Sequence, residues 1–316
     1  MDPLSDVLAL LKPRNYMSAG FDAGGGWSIV FPDQHDSIKI GAVVSGGCWL
    51  SVDGVAEAVR LAAGDCFMLP CGRRFRLASD LRLPAREAAE VFAAARDGGV
   101  VTHNGGGETF LVSSRFALDG AHAGLLLRML PPIVHIRDAP EQAALRWSVE
   151  RMMQELRQPQ PGGFLVIQHL AQMMLVQALR RYLGDAEASG TGWLFALGDR
   201  RMMAAIGAIH ADPAHRWTLE ELGARAGMSR SSFAAKFKAA VGATPIDYLT
   251  RWRMLLAADR LAAGREPVST IALSLGYESE SAFSTAFKRA MGGSPRQYGR
   301  RAARRGNEDL AKGRAP

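Results

Sequence analysis

The sequence predicts an α+β protein of several domains: a β-rich barrel or sandwich first, a helical hairpin next, and an all-α C-terminal third. Three observations carry this. Short alternating runs broken by glycine clusters fill residues 1–137, a helical period of apolar residues replaces them over 140–184, and the last third matches itself at a constant offset that sets Ser229 against Ser279.

In the first part, Ser37–Val44 alternates as a half-buried strand does. Cys48–Val52 follows and ends in a Val52-Asp53-Gly54 turn, and Ala58–Leu61 comes next. The clusters Gly24–Gly26, Gly46–Gly47 and Gly105–Gly107 mark turns, and many short strands so divided suit a small barrel or sandwich.

From residue 140 the period changes. Leu145, Val149, Met152, Met153 and Leu156 fall on one helical face, Pro159 to Gly163 breaks the chain, and Phe164–Leu183 is apolar nearly all round. A helix apolar on every side needs more than one neighbour, so this hairpin is expected to hold a homodimer, with Met173 and Val176 facing the partner. The same stretch is interrupted by Gln168, His169, Gln172, Gln177, Arg180 and Arg181, which argues against a membrane span. No signal peptide opens the sequence, and the expected compartment is the bacterial cytoplasm.

The internal repeat pairs Ser229 with Ser279, Ser231 with Ser281, Phe233 with Phe283, Phe237 with Phe287, Lys238 with Lys288, Gly242 with Gly292, Pro245 with Pro295 and Tyr248 with Tyr298. Each copy reads as helix, turn, helix. Gly227 suits a left-handed helix end and Ser229 the cap of the helix Arg230–Val241; the second copy turns at Gly276–Ser279 and runs on as Glu280–Met291. The Phe pairs pin each second helix to a core, and the helix Pro245–Ala263 spaces the two. A unit of this kind presents an outer helix face and its N-terminus to a DNA major groove.

Charge agrees with that reading. Residues 1–190 carry 18 Lys and Arg against 20 Asp and Glu, whereas residues 191–316 carry 20 against 11. The basic surplus sits wholly in the C-terminal part and points to a polyanion.

Residues 217–298 resemble the DNA-binding domain of the AraC/XylS family. The segments that carry the likeness are Gly227-Met-Ser-Arg-Ser-Ser-Phe-Ala-Ala-Lys-Phe-Lys, Gly242-Ala-Thr-Pro and Gly276-Tyr-Glu-Ser-Glu-Ser-Ala-Phe-Ser-Thr-Ala-Phe-Lys, with Pro295 and Tyr298. The resemblance implies two units in successive major grooves of double-stranded promoter DNA. It places Arg230, Ser231, Ala234, Ala235, Glu280, Ser281, Ser284 and Thr285 toward the bases. Lys236, Lys238, Arg251, Arg253, Lys288 and Arg289 flank the readers as phosphate contacts. A transcription activator also implies RNA polymerase as a partner.

The stretch Gly64-Asp-Cys-Phe-Met-Leu-Pro-Cys-Gly72, with the Asp119-Gly-Ala121 turn and Leu130-Pro-Pro132, is similar to the cupin-like sensor of one AraC subgroup. The implied organisation is a cupin-like β-barrel sensor over 1–137, a hairpin and linker over 138–190, a double helix-turn-helix domain over 191–303 and a disordered tail over 304–316. A cupin enzyme would hold a metal on a pair of histidines, but Phe75 stands where the later one belongs and the seven histidines are scattered, so no metal, cofactor or catalytic residue is expected. Three alternatives stay open. Arg73, Arg74, Arg76, Arg82 and Arg86 crowd one short stretch, and Arg82-Leu-Pro-Ala-Arg86 resembles the RxxxR element of PilZ domains, which points to a small anionic effector, cyclic di-GMP foremost. Cys48, Cys66 and Cys71 offer a thiol or oxidant sensor instead. From another class, the chain reads as a metal-dependent cupin enzyme fused to a DNA anchor.

Overall fold

A computed structural model describes residues 2–34, 37–93, 99–118, 130–137, 143–184 and 192–311. The chain divides into two compact units. One comprises Lys12–Ala188; the other joins Met1–Leu11 to Ser189–Pro316.

Among the described residues the first unit is built on eleven strands: β1 (Arg14–Ala23), β2 (Ser28–Phe31), β3 (Ser37–Ser45), β4 (Gly47–Val52), β5 (Val59–Ala62), β6 (Cys66–Leu69), β7 (Phe75–Ala78), β8 (Arg86–Glu87), β9 (Gly99–His103), β10 (Thr109–Ala117) and β11 (Val134–Ile136). They form a six-stranded sheet in the order β11-β6-β3-β10-β1-β9 and a five-stranded sheet in the order β5-β4-β7-β2-β8. The expected barrel is thus two sheets that do not close. Most neighbours are antiparallel, and β9 on β1 and β8 on β2 are parallel.

Alternation sorts the side chains between the sheets. Phe21, Ile29, Phe31, Val43, Leu50, Phe67, Leu69, Phe75, Leu77 and Leu111 meet in one core between them. The opposite face of the six-stranded sheet carries Ile38, Ile40, Val112, Ser114 and Phe116, all buried as well. The helical hairpin covers that face: Ser114 meets Met152 Sδ at 3.7 Å, and Gln168 donates to the Asn15 carbonyl at 3.1 Å. A sheet covered on both sides explains why β3 is buried without a break from Ser37 to Val43. The hairpin thus belongs to the strand unit. The Asp119–Ala121 turn and the linker at 185–191 lie outside the described residues.

Helices α1 (Pro3–Leu11), α2 (Ala88–Val91), α3 (Ala143–Arg157) and α4 (Gly163–Gly184) precede the all-helical part. There α5 (Trp193–Leu197), α6 (Arg200–Ala211), α7 (Leu219–Arg225), α8 (Arg230–Val241), α9 (Pro245–Ala263), α10 (Val268–Ser274), α11 (Glu280–Met291) and α12 (Pro295–Ala311) follow in order. The expected helix bounds for α8, α9 and α11 are met residue for residue. The backbone of α12 stays helical to Ala311, where a loose tail was expected from residue 304; residues 312–316 lie outside the described ones.

The N-terminal segment also departs from the sequence reading. Residues 3–11 form a helix rather than a strand, and it packs on the helical unit through Leu4, Val7 and Leu11. Alternation of period 2 is absent there, and a spacing of three and four is present. A buried polar relay fastens it. His210 Nδ1 lies 3.3 Å from Asp6 Oδ2, Nε2 lies 2.8 Å from the Tyr248 hydroxyl, and the imidazole stacks on Trp252 at 3.7 Å between ring centroids. With the hydroxyl donating to Nε2, Nδ1 carries the proton and donates to Asp6. Burial pushes His210 down to about 3.

A histidine with a depressed folded pKa takes up its proton in the unfolded chain first. Its contribution to stability is therefore complete above about pH 6.5 and is lost as pH falls from there toward 3. Denaturant titrations of the full chain are expected to show wild type losing its stability margin over a His210→Gln variant across that window. A margin that is flat with pH would mean that the histidine is not buried in neutral form.

Candidate nucleic-acid interface

The two repeated units share one construction. Thr218 caps α7 reciprocally with Glu221, and Gly227, at φ +63°, ends the first turn in the left-handed region. Ser229 and Ser279 cap α8 and α11, accepting from the amides of Ser232 and Ala282. Phe233 and Phe237 are fully buried with ring centroids 5.5 Å apart, and Phe283 and Phe287 match them at 5.6 Å. Tyr248 then meets Phe237 edge-on at 5.8 Å, as Tyr298 meets Phe287 at 5.7 Å. Each buried ring contributes about 1.5–3 kcal/mol, so the pair on each helix fixes which face turns outward.

That outward face carries the expected base-facing residues at equal positions in both units. Arg230, Ser231, Ala235, Ser281 and Thr285 are exposed, while Ala234, Glu280 and Ser284 are partly covered. The starts of the two helices differ in charge. α8 opens on the cation Arg230. At α11, Glu278 pairs with Arg216, and Glu280 pairs with Arg296 at 3.4 Å.

Among the expected phosphate contacts, Lys238, Arg251, Lys288 and Arg289 are exposed. Two others are engaged within the fold. Lys236 meets Asp199 at 2.5 Å; Asp199 also caps α6, and the Lys236 hydrogen bond holds its carboxyl below the usual range. Arg253 donates to the carbonyls of Pro213, Ala214 and His215 at 2.6, 3.2 and 2.9 Å. Gly276, at φ +80°, sits so near Ala214 that a Cβ would come within 2.2 Å of its carbonyl oxygen. Arg253 thus locks the α6–α7 loop against the second turn. Spacing along a helix cannot distinguish a free arginine from one whose carbonyl partners arrive from a loop far back in the chain.

The sensor candidates resolve differently. Arg82 is held by both oxygens of Asp80, which that bond holds down to about 2, and the Arg82 side chain is 90% exposed. Arg76 donates to Ser28 Oγ at 2.7 Å and to the Leu83 carbonyl; Arg73 reaches the Asp53 carbonyl at 3.5 Å; Arg86 lies 3.9 Å from Glu90. Arg74 is exposed beside them. The crowding is relieved by local partners, so it does not by itself call for a phosphate ligand.

None of the three cysteines is in a disulfide. Cys48 faces the core between the sheets, and burial pushes its thiol up to about 12; Cys66, on the opposite alternation from Phe67 and Leu69, faces away from that core. A thiol buried as Cys48 is stays protonated near neutral pH. Among the described residues no group of three or more His, Cys, Asp or Glu is placed to hold a metal. Phe75, at the position of a cupin histidine, stacks on Phe31 at 4.4 Å and offers no donor there.

The family model described as Cupin matches residues 2–184, and the one described as Helix-turn-helix domain matches residues 222–301. A putative AraC-like transcription regulator of Streptomyces antibioticus is 44% identical over 299 residues, spanning 94% of this chain and 98% of its own length. A second, of Streptomyces lividans, is 43% identical over the same spans. The HTH-type transcriptional regulator AlkR of Acinetobacter baylyi is 30% identical over 246 residues, 75% of this chain and 79% of its own. The chain belongs to the AraC-type transcription regulators. It is a DNA-binding protein with a cupin N-terminal domain and a double helix-turn-helix C-terminal domain. On both helices the outward positions carry mostly small side chains, and Arg230 and Glu280 are the charged ones among them. No helix among the described residues is long and apolar enough to cross a membrane.

Arg253→Met and Lys236→Met are expected to lower the melting temperature of the protein, because each leaves buried or capping partners unsatisfied. Lys238→Met and Lys288→Met should leave it unchanged. Equal melting of all four would mean that Arg253 and Lys236 are surface cations after all.

Proposed function

We propose that the protein is a sequence-specific transcription activator of the bacterial cytoplasm that binds double-stranded promoter DNA as a homodimer and answers to a small effector held by its cupin domain. The observation that carries the DNA reading is the duplicated arrangement of cap, paired phenylalanines and tyrosine, which turns the same four positions outward twice: 230, 231, 234 and 235, then 280, 281, 284 and 285. α8 and α11 enter successive major grooves. Lys238, Arg251, Lys288 and Arg289 meet phosphates on either side, and RNA polymerase is the further partner of an activator. With Ala and Ser at most base-facing positions, DNA shape and phosphate register contribute much of the specificity.

The dimer reading is supported by α4. Leu170, Ala171, Met174, Leu175, Ala178 and Leu179 are buried within the unit, while Phe164 and Leu165 are exposed and Met173 and Val176 only partly covered. The helix thus has an apolar face left over on the side where a second copy would add its own.

Two experiments test this. Fluorescence anisotropy on promoter fragments carrying single base-pair changes is expected to show that Arg230→Ala costs about 1–3 kcal/mol at one position. Lys288→Ala should weaken every sequence alike and reduce the salt slope by about one. A full-length protein without affinity for its promoter at low salt would overturn the reading. In sedimentation at micromolar concentration, Met173→Glu with Val176→Glu should yield monomers; an intact dimer would place the interface elsewhere.

A further inference from the structure

The residues that face inward at one end of the cupin sandwich are cations. Alternation along β3 and β10 turns Lys39 and Val43, and Leu111, Ser113 and Arg115, toward the five-stranded sheet, as Val43 and Leu111 in the shared core show. Lys39 and Arg115 are register partners across the two strands, and Leu69 of β6 lies opposite Lys39. Lys39 is 7% exposed. Its Nζ donates to Ser113 Oγ at 2.9 Å and lies 5.6 Å from the centre of the Phe31 ring across the sandwich. Phe31 in turn stacks on Phe75 and touches Phe92 at 5.9 Å.

Arg115 completes the group. Its Nε is buried without a hydrogen-bond partner, and its guanidinium carbon lies 5.8 Å from the centre of the Tyr16 ring. Tyr16 is the residue by which the β1–β10 register slips, between Asn15 and Met17, and it is exposed. A bulge of this kind re-aims one side chain, here toward the guanidinium at the open end of the strands.

Among the described residues no carboxylate pairs with either cation. Burial first, and the like charge of Arg115 second, push the Lys39 ammonium down to about 7. Burying a cation without a counter-ion is costly, and an apolar residue of equal size would avoid that cost. A fold that keeps the buried Lys39 and the partly buried Arg115, its Nε enclosed, beside a stacked aromatic pair is arranged to receive a negative charge joined to an apolar body.

We propose that Lys39, Ser113 and Arg115 form the effector site of the cupin domain and that it takes a small organic monocarboxylate, its carboxylate held by the two cations and its apolar body laid on Phe31. The assignment rests on the effector-controlled reading above and replaces the arginine loop at 73–86 as the place where the effector sits. The carboxylate accepts from Lys39 Nζ and from the otherwise unpartnered Arg115 Nε. Binding involves no covalent step.

The test uses the full-length protein and four probes: octanoate and benzoate, with acetate and inorganic phosphate as controls. Octanoate or benzoate at millimolar concentration is expected to raise the melting temperature in a dose-dependent way, and the controls to raise it less. Lys39→Met and Arg115→Gln should each weaken that binding about tenfold or more, the loss of one charge-assisted hydrogen bond. Without any probe, Lys39→Met should melt at or above the wild-type temperature. A lower melting temperature for Lys39→Met would make Lys39 a structural bond and overturn the proposal. So would equal shifts in wild type and both variants, no shift with either carboxylate, or a shift with phosphate that matches the carboxylates. Anisotropy on promoter DNA in the same samples separates the two readings: a protein that binds its promoter but ignores the carboxylates refutes this site and leaves the DNA reading standing.

Discussion

Each reading helix keeps its orientation because two phenylalanines four positions apart are buried beneath it and a tyrosine from the following helix closes over the second. Phe233, Phe237 and Tyr248 do this for α8, and Phe283, Phe287 and Tyr298 for α11, with nearly equal ring separations. The outer face of a helix cannot be specified without specifying what lies under it. Repeating the inner face therefore repeats the outer one, and residues 230 and 280, 231 and 281, 234 and 284, 235 and 285 acquire equivalent positions whatever side chains they carry. Side chains can then vary at those eight positions at little cost to the fold.

The same architecture divides the basic residues of the helical unit by role. Arg253 and Lys236 hold the loops and caps that set the two units against each other, and their donors are taken up by Pro213, Ala214, His215 and Asp199. Lys238, Arg251, Lys288 and Arg289 carry their charge outward. The readers are also unequal. Glu278 and Glu280 at the start of α11 are each paired with an arginine, whereas α8 begins on Arg230 itself. The acidic charge at the start of α11 is thus engaged within the fold, whereas α8 starts on a cation.

Much of this was legible in the sequence where local and repeated signals agree. The bounds of α8 and α11 follow from the repeat and from Ser229 as a cap, and the structure adds Thr244 and Ser279 as caps and Gly242, Gly264 and Gly292 as left-handed ends. Strands β3 and β4 follow from alternation. What was not legible depends on partners distant in sequence. Residues 3–11 are helical because Leu4, Val7 and Leu11 are covered by helices from the far end of the chain, α5, α6 and α9, and His210 is buried because Asp6, Tyr248 and Trp252 surround it. The DNA-binding unit thus includes Met1–Leu11, and a fragment cut at residue 192 would leave His210 and Trp252 without their cover.

Charge in the cupin domain shows how far density along the sequence differs from density in space. The arginines gathered between Arg73 and Arg86 look like an anion site, yet the fold gives Arg82 the carboxylate of Asp80, Arg76 the oxygens of Ser28 and Leu83, and Arg86 the neighbouring Glu90. Exposed cations with partners lose little by staying as they are. Lys39 and Arg115 stand far apart in the sequence and attract no notice there. Strand pairing makes them neighbours, alternation turns both inward, and among the described residues no acid comes with them. Solvent cannot relieve Lys39 as it relieves the loop, because that residue is buried beside Ser113 and Phe31. Among the described residues, Lys39 is therefore a buried cation with no acid beside it, and only the strand register brings Arg115 next to it.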